Sequence, residues 1–165
     1  MKTLLILRHA KSSWNYPELS DYDRPLNRRG KRDAPRMGEH LRQEGLIPDR
    51  ILTSSAKRAR KTASKVAKTS GYIGKVEKLD VFYDTVPGVY FETLQALPNK
   101  YQCVMVVGHN PTMEQLVGHL TGLIERMPTA ALAHIELPIE RWEELNLYTK
   151  GILISLWTPK TLFID

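Results

Sequence analysis

Residues 1–14 read MKTLLILRHAKSSW, and an apolar run stops abruptly there on Arg8-His9. Residues 3–7 are short, uncharged and rich in branched side chains, the composition of a strand buried on both faces. A guanidinium and an imidazole then stand side by side at its carboxyl end. Either this is an ordinary solvated strand end, or the strand delivers chemistry.

Working outward, a polar, turn-rich loop follows, KSSWNYPELSDYDRPLN (11–27). A helix is expected over 28–44, with Ala34, Met37 and Leu41 on one face. Pro35 either kinks this helix or marks its true start, with Asp33 as N-cap. Gly45 ends it, and 49–53 reads as a second strand. Ser54 or Ser55 is expected to cap the next helix, whose inward stripe is Ala56, Ala59, Ala63, Val66 and Ala67, with Gly71 as its stop. An edge strand is expected over 76–79, a short helix over 90–97 and a buried strand over 101–107. Residues 112–115 read as a capping box opening a helix that ends at Gly122. The last third predicts two strands, 133–137 and 151–157, antiparallel in part. Strand and helix alternate, which predicts an α/β layered fold, and no linker or repeat interrupts one domain over 1–165.

The 165 residues are enough to bury a core, and 42% hydrophobic with 25% charged is a globular balance. No apolar stretch reaches the roughly 18 residues of a membrane span. The run before Arg8 is too short for a signal-peptide core, and the one cysteine, Cys103, sits in the apolar QCVMVVG; a cytoplasmic setting is expected. The net charge of +6 allows acidic partners without choosing among them. Much of it comes from Arg28-Arg29-Lys31-Arg32 and Lys57-Arg58-Arg60-Lys61, clusters expected to be mostly solvated helix faces.

Three strands end alike: the first on Arg8-His9, the second leading into Ser54-Ser55-Ala56-Lys57-Arg58, the third on Gly108-His109-Asn110-Pro111. Ligands of open α/β sheets bind outside the carboxyl ends of the strands. Arg8, Arg58, His9 and His109 are thus candidates for one crevice. A phosphate monoester carries about −1.5 to −2 charges near neutral pH. Guanidinium forks match its oxygens, and a helix N-terminus adds free N–H groups. A neutral imidazole can attack phosphorus and hold it covalently until water removes it. The residues alone reach as far as a phosphate site.

Other chemistries lack their motifs. Neither G-x-G-x-x-G nor G-x-x-x-x-G-K-[ST] occurs, nor a G-x-S-x-G elbow, nor a His or Cys/His spacing for zinc. His40, His119 and His134 are expected on helix or strand surfaces. Trp14, Trp142 and Trp157 are too scattered for a base-stacking platform. No nucleic acid partner is expected, and a nucleic-acid-binding module exploiting the basic helices is the remote alternative.

LRHAKSSW, DYDRPLNRRG, SSAKRARKTA and VVGHNP, in that order, resemble the histidine phosphatase superfamily, and within it the small SixA-type phosphohistidine phosphatase branch. The resemblance implies a three-layer α/β/α, phosphoglycerate mutase-like fold with a mixed, mostly parallel sheet and no metal or organic cofactor. Carried over by position, His9 would be phosphorylated, Arg8 and Arg58 would clamp the phosphoryl oxygens, and His109 would stabilise the transferring group. Ala10 stands where the superfamily usually has glycine, and Ser54-Ser55 where it has Ser-Pro. Larger members place a glutamate to protonate an alkoxide leaving group; only Asp84 and Glu92 lie in the corresponding region. A phosphoramidate needs such an acid less, because it can release an already protonated imidazole. A phosphohistidine protein is therefore the expected substrate, with a small phosphoester as the alternative. Lys11, Trp14 and Arg24 are expected beside the pocket, with Asp21 and Asp23 placed to orient Arg24 by ion pairing.

Overall fold

The computed structural model describes residues 1–163. Their chain order is β1 (Lys2–Arg8), α1 (Arg28–Gln43), β2 (Arg50–Ser54), α2 (Lys57–Ser70), β3 (Val76–Leu79), α3 (Pro87–Gln95), β4 (Cys103–Gly108), α4 (Thr112–Thr121), β5 (Leu132–Leu137), β6 (Ile152–Trp157) and α5 (Pro159–Leu162). The strands form one six-stranded sheet in the order β3-β2-β4-β1-β5-β6. Every pairing from β3 to β1 is parallel, and β5 runs antiparallel to both its neighbours. The sheet is mixed and mostly parallel, and β3 is an edge strand as its sequence predicts.

The alternation of β1 divides the core. Leu4 and Ile6 pack on one face with Val104, Val106, Tyr90, Met113 and Leu116, under α3 and α4. Leu5 and Leu7 pack on the other with Met37, Leu41, Ala59, Ala63 and Val66, under α1 and α2. All four β1 side chains are fully buried, which is why the segment carries no polar alternation. Helices thus cover both faces, the three-layer α/β/α arrangement that the resemblance implies.

Several local expectations give way to longer-range contacts. Helix α1 starts at Arg28, with the Asn27 side chain accepting from the Gly30 N–H at 2.9 Å, and Pro35 lies inside the helix. Pro35 is therefore not the helix start, and Asp33 is not its N-cap. Asp33 is buried mid-helix, 3.6 Å from the Nε atoms of both Arg29 and Arg32. Neither Ser54 nor Ser55 caps α2: its N-cap is Ala56, with no side-chain cap bond. Ser54 still belongs to β2, and its hydroxyl turns across the sheet instead. Nor does the 112–115 capping box form. The Thr112 hydroxyl donates to the Thr85 carbonyl (2.7 Å), and Glu114 accepts from the Met127 N–H (2.7 Å). Both side chains tie α4 to neighbouring loops rather than to its own first turn. Helix α3 begins at Pro87, earlier than expected, because proline suits a first helical turn that lacks N–H partners.

Gly30 lies directly beneath the loop leaving β1. A Cβ there would collide with the Lys11 carbonyl oxygen, which itself accepts from the Asn27 N–H at 3.0 Å. Gly30→Ala is expected to cost about 1–3 kcal/mol by overpacking against backbone. The urea midpoint measures this, and an unchanged midpoint would show that the loop yields.

Candidate active site

The register of the sheet builds the site. Arg8 pairs with Gly108 across the parallel β1–β4 ladder, and the His9 N–H donates to the Gly108 carbonyl at 3.0 Å. His9 and His109 therefore leave adjacent strands at the same level, and their ring centroids lie 5.2 Å apart. On the other side of β4, Thr53 pairs with Val107, which brings Ser54 level with the turn. The Ser54 hydroxyl lies 2.8 Å from His109 Nε2. Arg58, one residue into α2, reaches the same place and is 6% exposed. All four candidates meet at one end of the sheet.

His9 is held in a defined tautomer. Its Nδ1 lies 2.7 Å from the Ala10 carbonyl, which can only accept, so Nδ1 carries the proton and Nε2 keeps a free lone pair. Burial, foremost, with His109, Arg58 and Arg8 adding to it, pushes its pKa down to about 3 against the backbone bond to Ala10. For His109 burial and then the Arg58 charge lower it to about 4. Ser54 Oγ accepts from the Ala56 N–H (3.3 Å), and its hydroxyl proton can be given to His109 Nε2 in the tautomer that carries the ring proton on Nδ1. Nδ1 of His109 is a buried atom without a protein partner. Arg8 donates to the Met127 carbonyl at 3.1 Å, and burial lowers its pKa with Glu114 opposing. Arg8 Nε and Arg58 Nε are also buried without partners. Buried donors left unpaired call for an explanation, and in a site that also holds a neutral imidazole an oxyanion is the kind of ligand that would satisfy them.

An unfolded histidine takes up its proton near pH ~6.5, whereas folded His9 and His109 hold it off until about 3 and about 4. The stability carried by the neutral rings is thus full above the unfolded value and is lost as pH falls from there toward the folded values. NMR of the ligand-free protein should show neither imidazole titrating between about pH 8 and about pH 5. A midpoint near the unfolded value for either ring would contradict this environment.

A cleft of about 350 Å³ adjoins the pair, lined among others by Arg58, His109, Asp21, Tyr83, Asp84 and Asn110. Asp84 is exposed and holds a positive φ of 50°. Glu92 lies exposed on α3 and is not among the residues lining the cleft. Arg24 is 8% exposed, with the Trp14 ring stacked on it at 3.6 Å, while Trp14 itself is 73% exposed. Lys11 is half-buried, and its backbone carbonyl anchors Asn27. Asp21 pairs with Arg24 Nε at 3.1 Å as expected; Asp23 instead accepts from the Ser20 hydroxyl. Ala10 needs no positive φ, which among non-glycine described residues occurs at Asp84 and Ala130.

Of the two basic clusters, Arg28, Arg29, Lys31 and Arg32 are exposed as expected, whereas Arg58 of the second is buried. His134 is buried on β5 and pairs with Glu136 at 2.9 Å, not at the surface; it and His40 pack against Trp157. Among the described residues no group of three or more His, Cys, Asp and Glu is placed to hold a metal ion, and no helix is long and apolar enough to cross a membrane. Sequence reasoning did not find Tyr83 or the partnership of Ser54 with His109, because both contacts are set by tertiary packing.

A family model for the histidine phosphatase superfamily (branch 1) matches residues 4–89. This chain belongs to that superfamily. An uncharacterized chloroplastic protein of Arabidopsis thaliana is 33% identical over 152 residues, covering 87% of this chain and 70% of the relative. Among solved structures, SixA of Agrobacterium tumefaciens, assigned as a phosphohistidine phosphatase, is 29% identical with a TM-score of 0.82, covering 96% of this chain and 98% of the other. A protein histidine phosphatase SixA complexed with tungstate shares the fold at a TM-score of 0.83 and 24% identity, over 97% and 99% of the two chains. Within the superfamily the likeness is to the SixA-type branch.

Proposed function

We propose that this protein is a phosphatase that takes a phosphoryl group onto His9 Nε2 and passes it to water, with phosphohistidine in a protein as its substrate. The observation that carries this is the His9 ring itself. Its Nδ1–H is spent on the Ala10 carbonyl, so the Nε2 lone pair is left free on a ring that His109, Arg58 and Arg8 lie close enough to influence.

Nε2 forms a bond to phosphorus as the substrate P–N bond breaks. The bonding pair returns to the leaving imidazole, which entered protonated on its other nitrogen and departs neutral. Arg8, Arg58 and the Nδ1–H of His109 stabilise the phosphoryl oxygens during the transfer. Water then attacks phosphorus, the P–Nε2 bond breaks with its pair returning to His9, and the water protons leave on phosphate.

The carboxylates of the cleft favour this leaving group. For Asp21, burial pulls upward, but hydrogen bonds from Tyr83 and Arg58, the Arg58 charge and Arg24 hold it down at about 2, so it has no proton to donate. Asp84 lies exposed at the rim. An alkoxide would thus leave without a buried acid, whereas imidazole needs none.

A histidine-phosphorylated protein, a phosphoserine peptide and a small sugar phosphate, assayed in parallel, test the proposal. The expected kcat/KM for phosphohistidine exceeds that for either alkyl ester by at least about a hundredfold, the span a missing general acid accounts for. Equal or faster turnover of the sugar phosphate would overturn the substrate assignment.

A further inference from the structure

The Asp21 carboxylate collects three donors. Arg58 Nη2 (3.0 Å) and the Tyr83 hydroxyl (2.8 Å) reach Oδ2, and Arg24 Nε (3.1 Å) reaches Oδ1. The Asp21 backbone carbonyl also accepts from Arg58 Nη1 at 2.7 Å. Arg24 is itself fixed, by the Ser12 hydroxyl (2.8 Å), the Ser13 carbonyl (3.3 Å) and the Trp14 ring (3.6 Å). Tyr83 also lines the cleft and stands edge-on to His109, with ring centroids 5.7 Å apart. One half-exposed residue of the loop after β1 therefore joins Arg24, Tyr83 and the buried Arg58.

We propose that Asp21 is a positioning residue that sets the plane of the Arg58 guanidinium, so that its remaining donors meet the transferring phosphoryl group. A guanidinium has five N–H donors. Asp21 occupies one on each terminal nitrogen, which leaves the second N–H of each and the buried, unpartnered Nε unspent by it. Asp21 and the phosphoryl group thus use different edges of one fork rather than competing for it. A long arginine side chain entering from a helix start has several rotamers within reach of the site. Two hydrogen bonds to a single residue select one of them before substrate arrives.

The inference rests on Arg58 as a phosphoryl clamp, and it is tested in a double-mutant cycle with Asp21→Ala, Arg58→Ala and the pair. Misorientation acts on the transition state, whose oxygens must be met in a set geometry. Inorganic phosphate tumbles to suit its donors and also loses a repelling carboxylate. Asp21→Ala is therefore expected to lower kcat at least about tenfold while the inhibition constant of inorganic phosphate stays the same or falls. In the Arg58→Ala background the same substitution is expected to change kcat less than about twofold. Asp21→Asn, which retains an acceptor oxygen and the backbone contact, should recover part of the loss.

Equal effects of Asp21→Ala with and without Arg58 would overturn the inference, as would kcat unchanged in the single variant. An Asp21→Ala protein with a lowered melting temperature but wild-type kcat at low temperature would make the contact purely structural and also overturn it. Failure of the phosphatase reading is a separate outcome, seen as full activity of Arg58→Ala itself.

Discussion

Replacing His9 by alanine is expected to abolish turnover of every phosphoryl substrate, lowering kcat by at least about a thousandfold. No other group in the site offers a lone pair in this way. His109 has its Nε2 engaged with Ser54, the Asp21 carboxylate accepts from Arg58, Arg24 and Tyr83, and Asp84 lies exposed at the rim. The variant should fold, because His9 contributes one buried ring and its backbone bonds to Gly108 and Ala130 persist. Wild-type protein quenched in base during turnover of labelled substrate should retain one phosphoryl group per chain. That bond should be labile to acid, as a P–N linkage is, and absent from His9→Ala. Residual activity above about a tenth of wild type would exclude a covalent phosphohistidine route.

Arg58→Ala is expected to reduce kcat by about a hundredfold to a thousandfold, the range seen when a buried donor to a developing oxyanion is removed. Arg58→Lys should recover little. An ammonium is a point charge and cannot keep two bonds to Asp21 while offering a side-on pair to phosphate. The neighbouring Arg60→Ala is the control: Arg60 is less buried, does not line the cleft, and should change kcat less than about twofold. Steady-state kinetics on all three separate a specific clamp from a general loss of positive charge. Comparable losses in Arg60→Ala and Arg58→Ala would show that net charge, not the fork, binds the substrate.

Most elements were legible because their signals are local. The doubly buried strand at 2–8 needs no polar alternation, and glycines at 45, 71 and 122 adopt the positive φ that ends a helix. The misreadings share one cause. Ser54, Thr112 and Glu114 each have a chemistry that suits a helix cap, and in each the side chain has a stronger claim elsewhere: His109, the Thr85 carbonyl and the Met127 N–H. A cap stabilises by about 1 kcal/mol, less than leaving buried groups at the sheet end unpaired. Pro35 was ambiguous for the same reason, since the Asn27 cap and the packing of Met37 and Leu41 outweigh one missing helical bond.

From its residues alone this chain determines an alternating α/β order, the strand ends that carry Arg8, His9 and His109, and the helix start that carries Arg58. What tertiary structure decides is their distance from one another. The β1–β4 ladder sets Arg8 against Gly108, and only that register places the two imidazoles side by side; one step of slip would turn His9 to the other face of the sheet. Asp21 and Tyr83, 62 positions apart, meet for a similar reason: their loops close over the same sheet end. Hydrogen bonds between remote segments leave no spacing in the sequence to read.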